Sequence, residues 1–421
     1  MNKTTQKFLI GASTAAHQVE GNNKNSDFWA MEQMEYSDFA EPSLDAVDHY
    51  HRFREDIDLL KQAGLNAYRF SIEWARIEPQ KGCFDPGGVE HYREMLLYCR
   101  ECGIEPVVTM HHFSSPKWLI EQGGWEDERT INAFAEYCAF IAKELGDLMN
   151  YVCTINEANM GLALGVIKRS HSAGKNADLQ VGIRLEKDGV ERREKQKEEY
   201  ESLFGTAVPQ TFLEMRTDAG DRIVARAHQA AARAMKLACP HLKTGLTLSL
   251  HDFQAVDGGE NNAAAEWEKE FLHYLPYMTD DDFVGVQNYT RKLVGTDGFL
   301  PAPTGAKLTQ MHYEYYPQAL EHVIRKVSKS TDLPILVTEH GVGTADDSDR
   351  VAFIEEAMSG IGKCLGDGLK VLGYLHWSLL DNFEWQKGYS QTFGLIAVDR
   401  KNQRRTPKES LYCLGSYGKN I

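Results

Sequence analysis

An α/β fold, a (β/α)8 TIM barrel, is predicted by three features of the sequence. The 421-residue chain contains eight short apolar runs, helical patterns separate these runs, and no linker or shift in composition divides the chain. Eight strands that alternate with helices are typical of a closed parallel barrel with right-handed crossovers. Because such barrels run from about 200 to over 400 residues as one unit, we predict a single domain spanning residues 1–421.

The predicted strands are short runs rich in apolar and β-branched residues, bounded by turn signals. In chain order they are residues 8–12, 66–71, 105–110, 151–156, 244–250, 283–287, 334–338 and 371–377. Helical patterns lie between them, for example residues 50–62 and 130–145, where apolar residues recur at three- and four-residue spacing.

One segment departs from this alternation. Residues 184–201 carry dense charges of both signs, which predicts a solvated surface helix or excursion between strands four and five. The alternative is a lid or a subunit contact near the rim of a pocket.

Composition limits the classes of partner. The chain has 46 Lys and Arg against 61 Asp and Glu, a net charge of −15, which argues against binding nucleic acid. Neither a secretory signal at residues 1–10 nor a run of about 18 apolar residues is present, so we expect a cytoplasmic protein with no membrane partner. The eight cysteines lie in core-like segments and are expected to be free, buried thiols.

Two glutamates follow strands of the predicted barrel, Glu157 after strand four and Glu339 after strand seven. In a (β/α)8 barrel the pocket lies at the carboxyl ends of the strands, so these side chains can face each other. Paired carboxylates suit cleavage of a glycosidic bond, in which one donates a proton and the other attacks carbon or activates water. For either glutamate alone, a surface or helix-capping role is the common alternative.

A metal site is the competing interpretation of the same region. His111, His112, Glu157 and Glu339 can be drawn as a ligand set, but no His-x-His or His-Glu-x-x-His spacing is present. We therefore predict no metal and no cofactor. Polar and aromatic residues also follow the other strands: His17, Gln18, Glu20, Arg69, Glu73, Trp74, Phe113, Asn156, Gln287, Asn288, Tyr289, Trp377, Asp381, Asn382, Glu384 and Trp385.

Ordered motifs along most of the chain resemble glycoside hydrolase family 1, the β-glucosidase family. They are residues 8–21 (FLIGASTAAHQVEG), 68–74 (YRFSIEW), 154–157 (TINE), 337–341 (VTEHG), 377–385 (WSLLDNFEW) and 393–395 (FGL). The resemblance implies a retaining β-glycosidase that hydrolyses terminal β-D-glycosides by double displacement and transglycosylates when a sugar or alcohol outcompetes water. It implies Glu339 as the nucleophile and Glu157 as the acid/base.

The resemblance also implies the residues around these acids. Arg69 and Tyr289 would contact the nucleophile, and Trp377 would form a stacking platform for the sugar. The residues expected to hold sugar hydroxyls are Gln18, His112, Asn156, Glu384 and Trp385.

Glu384 bears on the choice of substrate. Family members that cleave 6-phosphoglycosides carry Ser and Lys in this region, so the carboxylate favours an unphosphorylated glucoside, galactoside or fucoside. A 6-phospho-β-glycosidase and a non-catalytic sugar-binding barrel are the alternatives, and the oligomeric state is left open.

Four residues depart from the family pattern. Ala158 stands where Pro usually follows the acid/base and is expected to loosen a loop, while His340 replaces Asn after the nucleophile and is expected to pack. Phe113 replaces Trp after His112, and Gln287 replaces Asn on strand six. Because both positions are expected to contact the sugar, the identity of the preferred sugar stays open.

Overall fold

The computed structural model describes residues 7–165, 181–184 and 189–418, and within them eight parallel strands close into one barrel. The barrel strands, numbered one to eight in chain order, are Leu9–Ser13, Ala67–Ser71, Glu105–His111, Tyr151–Ile155, Lys243–Ser249, Phe283–Gln287, Ile335–Glu339 and Val371–Trp377. Each strand pairs with its neighbours in sequence, and strand one pairs with strand eight from Leu9 with Gly373 to Ser13 with Trp377. The predicted fold class is confirmed, and the predicted strand ends agree to within one residue.

Helices follow the barrel strands on the outside. The longer ones are His49–Ala63, Pro86–Glu101, Arg129–Leu145, Val190–Phe204, Asp218–Ala238, Glu260–Glu270, Ala319–Ser330, Asp347–Gly366 and Glu409–Gly418. Short helices are Ala16–Val19, Asp27–Glu32, Trp74–Ile77 and Lys117–Glu121, and short 3₁₀ helices lie at Gly124–Glu126, Gly146–Leu148, Leu272–Tyr277 and Trp385–Lys387.

Two small sheets lie outside the barrel and were not predicted. One has the strands Asp252–Ala255, Arg291–Gly295 and Gly298–Leu300, and the other pairs Ile396–Asp399 with Arg404–Pro407. The strands have three to five residues, too few for an alternating pattern to stand out from loops.

A compact apolar cluster fills the barrel below the site. One or two buried side chains from seven of the strands form it, namely Leu9, Ala67, Val107, Tyr151, Cys153, Phe283, Leu336 and Leu375. Because this layer closes the interior, the polar residues at the carboxyl ends of the strands form the floor of the pocket.

The charged segment forms the helix Val190–Phe204, while residues 185–188 lie outside the described residues. The helix ends at Gly205, whose φ of 72° is the left-handed conformation that glycine adopts readily. The Glu199 carboxylate accepts hydrogen bonds from the backbone N–H groups of Glu35 and Tyr36, at 2.9 and 3.0 Å. The predicted surface helix is therefore present, and these two hydrogen bonds link it to the segment after the helix Asp27–Glu32.

The cysteines are free, as expected, but they are not all buried. Cys99, Cys138, Cys153 and Cys364 are buried, whereas Cys83 is exposed, because it lies in the turn before the helix Pro86–Glu101 rather than in the core. Within the described residues, no helix has the length and apolar character needed to cross a membrane.

Candidate active site

The predicted site residues lie together at the carboxyl ends of the barrel strands. Each is buried, and each is linked to another by a hydrogen bond, a ring contact or an electrostatic interaction. The set is Gln18, Arg69, His112, Asn156, Glu157, Tyr289, Glu339, Trp377, Glu384 and Trp385.

Both oxygens of the Glu339 carboxylate are held by side chains from elsewhere in the barrel, one on strand two and one just after strand six. Arg69 Nη1 donates to Oε1 at 2.6 Å, and the Tyr289 hydroxyl donates to Oε2 at 2.5 Å. Burial raises the pKa of Glu339, whereas the charge and hydrogen bond of Arg69 and the hydrogen bond of Tyr289 favour the ionised form. A carboxylate oriented in this way can attack an electrophilic carbon beside it.

Glu157 occupies a different environment. Its backbone N–H donates to Thr247 Oγ1 at 3.1 Å, and its side chain hydrogen-bonds to Ser249. Burial and the nearby charge of Glu339 raise the pKa of Glu157 well above its usual value. A carboxyl group kept protonated in this way can act as a general acid.

The amide of Asn156 is fixed by hydrogen bonds with three other side chains. Arg69 Nη2 and Gln287 Nε2 both donate to Asn156 Oδ1, at 2.5 and 2.7 Å. The amide nitrogen therefore faces His112 Nε2, 3.1 Å away, and donates to it. Burial lowers the pKa of His112 well below its usual value, so the ring is neutral and its single proton lies on Nδ1.

Glu384 lies in a second corner of the pocket. Gln18 Nε2 lies 2.7 Å from the Phe383 carbonyl and 3.4 Å from Glu384 Oε2, and the Gly182 backbone also hydrogen-bonds to Glu384. A side chain at Gly182 would collide with the Glu384 backbone. Burial and the charge of Glu339 raise the pKa of Glu384 to about 8.

Aromatic rings line one side of the site. The His112 ring is stacked with Trp377 at 5.6 Å and with Trp385 at 6.0 Å between ring centroids. Phe113, with φ of 68°, packs against Trp385 at 5.2 Å and is stacked with Phe212 at 5.7 Å. Phe113 therefore contacts the pocket wall behind Trp385.

His340, next to Glu339, makes its contacts away from the pocket. Its ring is stacked with Phe353 at 4.5 Å between centroids, and Nδ1 is 3.0 Å from the Tyr374 hydroxyl. Burial lowers the pKa of His340 to about 3, so the ring is neutral. These contacts agree with the expected packing role.

Ala158 does not loosen its loop, contrary to expectation. Its N–H donates to the Thr247 carbonyl at 3.1 Å, and its carbonyl accepts a hydrogen bond from Arg216 Nη1 at 2.8 Å. Proline has no N–H, so the residue that the family usually carries here cannot make the first of these bonds.

Replacing Ala158 with Pro is expected to destabilise the protein. The Ala158→Pro variant loses the bond to the Thr247 carbonyl, at a cost of about 1–3 kcal/mol in the free energy of unfolding. Urea unfolding measures this loss, and Ala158→Gly, which keeps the N–H, is the matched control. An Ala158→Pro variant as stable as the unsubstituted protein would contradict the assigned bond.

Several residues of the site were not predicted. Thr247 and Ser249 contact Glu157 from barrel strand five, and Gly182 bonds to Glu384. A sequence signal for Thr247 and Ser249 exists: they are polar residues two positions apart in a buried strand, and alternate side chains of a strand point to the same face. Gly182 lies in an irregular segment with no pattern to mark it. Within the described residues, no cluster of three or more His, Cys, Asp and Glu is placed to hold a metal ion.

Comparison with known proteins decides the class of the site. The model of the family described as "Glycosyl hydrolase family 1" matches residues 1–209 and 278–420, well over half of the chain. The chain belongs to glycosyl hydrolase family 1. This membership confirms the predicted resemblance, and the family 1 protein is a glycoside hydrolase of the retaining β-glycosidase class.

Several relatives match the family 1 chain over nearly its whole length. Beta-glucosidase A of Acetivibrio thermocellus is 28% identical over 98% of both chains. Among solved structures, beta-glycosidase BGL167 is 45% identical, with a TM-score of 0.89 over 100% of this chain and 98% of its own. The beta-glucosidase of Thermotoga maritima in complex with glucoimidazole is 25% identical, with a TM-score of 0.81 over 99% of this chain and 98% of its own.

Proposed function

We propose that this enzyme hydrolyses terminal, unphosphorylated β-D-glycosides by double displacement, with Glu339 as nucleophile and Glu157 as acid/base. The observation that carries the proposal is that the two carboxyl groups have different surroundings. Arg69 and Tyr289 hold both oxygens of Glu339, whereas Glu157 is buried beside that negative charge. When the surroundings push the pKa values of two acids apart, the acid with the higher pKa serves as proton donor and the ionised one as nucleophile.

In the first step Glu157 gives its proton to the glycosidic oxygen while Glu339 attacks the anomeric carbon. The bond from this carbon to the glycosidic oxygen breaks, the aglycone leaves as an alcohol, and an ester joins the sugar to Glu339. Ester formation removes the charge of Glu339, which had raised the pKa of Glu157. Glu157 then loses its proton more easily, a change that suits its next role.

In the second step the Glu157 carboxylate takes a proton from water as the water oxygen attacks the anomeric carbon. The ester bond breaks, Glu339 regains its charge, and the sugar leaves with its original configuration. A sugar or alcohol that replaces this water yields a transglycosylation product.

The sugar would be held by the side chains that surround the two acids. His112 carries its proton on Nδ1, and that atom has no partner among the described protein atoms, so it is available to a hydroxyl group. Gln18 Oε1 and Gln287 Oε1 are also buried and unpartnered within the described residues, and they can accept hydrogen bonds from hydroxyl groups. Trp377 would provide the stacking platform for the sugar ring, and Trp385, beside it on the same histidine, would hold a sugar hydroxyl.

An unphosphorylated sugar fits the charges of this site. Arg69 already bonds to Glu339 and Asn156, while Glu384 lies in the corner lined by Gln18 and Gly182. A phosphate dianion there would be buried near the negative charge of Glu339, and Arg69, which already bonds to that carboxylate, would not be free to compensate it. The relatives named beta-glucosidase, and the Thermotoga maritima complexes with glucoimidazole and cyclophellitol, support a small sugar-like ligand.

The test is a panel of nitrophenyl β-glycosides, together with the stereochemistry of the product. We expect hydrolysis of the glucoside, with the galactoside and fucoside as further substrates, and little hydrolysis of the glucoside 6-phosphate. Proton NMR should show the β-anomer as the first sugar released. A preference for the 6-phosphate would replace the proposal with a 6-phospho-β-glycosidase.

Two further statements belong to this proposal. The whole chain of residues 1–421 would act as one catalytic unit, because Glu157 and Glu339 come from opposite halves of the sequence and share one pocket. A cytoplasmic location is supported by the eight free thiols, since reducing compartments keep cysteines unpaired.

Glu384 is expected to make stability depend on pH. Its pKa rises from the usual 4.5 to about 8 on folding, so the folded protein binds a proton that the unfolded chain has lost between these values. The free energy of unfolding contributed by Glu384 therefore falls as the pH rises across this window, by a few kcal/mol at most, at about 1.4 kcal/mol per unit.

The Glu384→Gln variant removes this dependence. Its melting temperature should rise relative to that of the unsubstituted enzyme between about pH 5 and 8, then stay level. Glu101→Gln, a change at an exposed carboxylate, is the matched control and should show no such trend. A constant difference between the Glu384→Gln variant and the enzyme across this range would contradict the raised pKa.

A further inference from the structure

Arg216 contacts the turn that follows Glu157, although the two residues lie far apart in the sequence. Its side chain is 2% exposed, Nη1 donates to the Ala158 carbonyl at 2.8 Å, and Nη2 donates to the Phe212 carbonyl at 3.1 Å. The guanidinium group also covers the Phe212 ring, 4.6 Å from its centroid. A buried cation therefore bonds directly to the residue after the proposed acid/base.

The helical residues that follow this turn contact Arg216 at a second point. The Arg216 backbone N–H donates to the Gly161 carbonyl at 3.3 Å. A Cβ atom built on Gly161 would lie 2.7 Å from both Cβ and Cζ of Arg216, closer than packed carbon atoms approach. Glycine at this position therefore lets the helical segment after the turn pack directly against the arginine side chain.

Asp221 supplies the counter-charge for the guanidinium group. Its Oδ1 lies 3.8 Å from Arg216 Nη1 and accepts a hydrogen bond from the Tyr274 hydroxyl at 2.6 Å. Its Oδ2 lies 2.7 Å from His273 Nε2. Burial lowers the pKa of Arg216, and the charge of Asp221 acts against this change. Charged groups are kept inside proteins where they are paired and hydrogen-bonded, as they are here.

The backbone of Glu157 needs such support. Its φ of 45° lies in the left-handed region, which is unfavourable for a residue with a side chain. Such conformations persist where surrounding bonds over-determine them. Thr247 secures one side of the turn by bonding to the N–H groups of Glu157 and Ala158, and Arg216 secures the other through the Ala158 carbonyl.

We propose that Arg216 is a positioning residue for acid catalysis, holding the turn so that the Glu157 carboxyl group meets the leaving oxygen of the substrate. The inference rests on the acid/base role proposed for Glu157. Arg216 touches neither Glu339 nor its partners Arg69 and Tyr289, so nucleophilic attack does not depend on it. Loss of Arg216 should slow those reactions in which protonation of the leaving group limits the rate.

The test varies the leaving group in the Arg216→Met variant. We expect kcat/KM for phenyl and alkyl glycosides to fall about 10- to 100-fold, the scale on which a misplaced catalytic group acts. For 2,4-dinitrophenyl glycosides, whose leaving group needs no proton, kcat/KM should be nearly unchanged. The slope of log kcat/KM against the pKa of the leaving group therefore becomes steeper.

A second variant tests the same contact without removing the charge. In Gly161→Ala the added methyl group displaces the guanidinium from the turn, and the same steepening is expected to a smaller degree. This variant decides the question if Arg216→Met does not fold. The control is Arg405→Met, which removes another buried arginine, one paired with Asp56, and should leave the slope unchanged.

An equal loss of kcat/KM for all leaving groups, or no loss in either variant, would overturn the positioning role. The Glu157→Ala variant separates this failure from failure of the proposed function. If Glu157→Ala steepens the slope and the Arg216 and Gly161 variants do not, only the positioning role is wrong. If Glu157→Ala leaves the slope unchanged, the acid/base assignment itself is wrong.

Discussion

The Glu339→Gly variant is expected to lose hydrolysis by roughly 10⁴-fold or more, because no other group can form the covalent intermediate. Arg69 and Tyr289 hold both carboxylate oxygens, so the loss removes an oriented group and leaves a space beside the anomeric carbon. Initial rates with a nitrophenyl glucoside measure the loss. Retained activity would show that Glu339 is not the nucleophile.

Azide and formate should restore turnover in Glu339→Gly by entering this space. Each attacks the anomeric carbon from the face that Glu339 used, so the glycosyl azide forms with inverted configuration, while Glu157 still protonates the leaving group. NMR of the product distinguishes this outcome from a retained one. A β-configured azide, or no rescue at all, would contradict the proposed direction of attack.

Much of the barrel could be predicted because its strands are buried on both faces. Such strands are mostly apolar runs, and consecutive polar residues follow close to their ends, as at His111 and His112 and at Asn156 and Glu157. The bounds of the charged helix were predicted less well: the charged segment spans residues 184–201, whereas the helix is Val190–Phe204. Charge density does not set helix ends, whereas Gly205, just beyond the charged run, does.

The residues of the site that follow strand ends could be proposed from the sequence, but their partners could not. Arg216 lies in a polar stretch, and its burial depends on Asp221, Tyr274 and the Ala158 carbonyl, which no local pattern brings together. Long polar side chains are usually exposed, so sequence patterns place such an arginine on the surface.

The error at Ala158 has a related cause. The loss of a proline suggests a looser chain, since proline restricts the backbone. In the folded protein the alanine N–H instead bonds to Thr247, and its carbonyl bonds to Arg216. The restriction that proline would impose is thus exchanged for one hydrogen bond, from the Ala158 N–H to the Thr247 carbonyl, whereas the carbonyl at this position can accept from Arg216 in either case.

The Glu157→Ala variant is expected to show the second large effect, and its size should depend on the substrate. For alkyl and phenyl glycosides, kcat/KM should fall by roughly 10²- to 10⁴-fold, the usual contribution of a general acid. For 2,4-dinitrophenyl glycosides kcat/KM should change little, since it reports the first step, which needs no proton from the enzyme.

The second step should be slowed for every substrate, because water has lost its base. For activated substrates the glycosyl enzyme therefore accumulates, and kcat and KM fall together while their ratio is kept. Azide, which needs no base, should raise kcat and give a glycosyl azide of retained configuration. This configuration is opposite to that expected from Glu339→Gly, since azide attacks here from the face of the missing Glu157. The same configuration from both variants would mean that the two carboxyl groups do not lie on opposite sides of the sugar, and the double displacement assigned to them would be wrong.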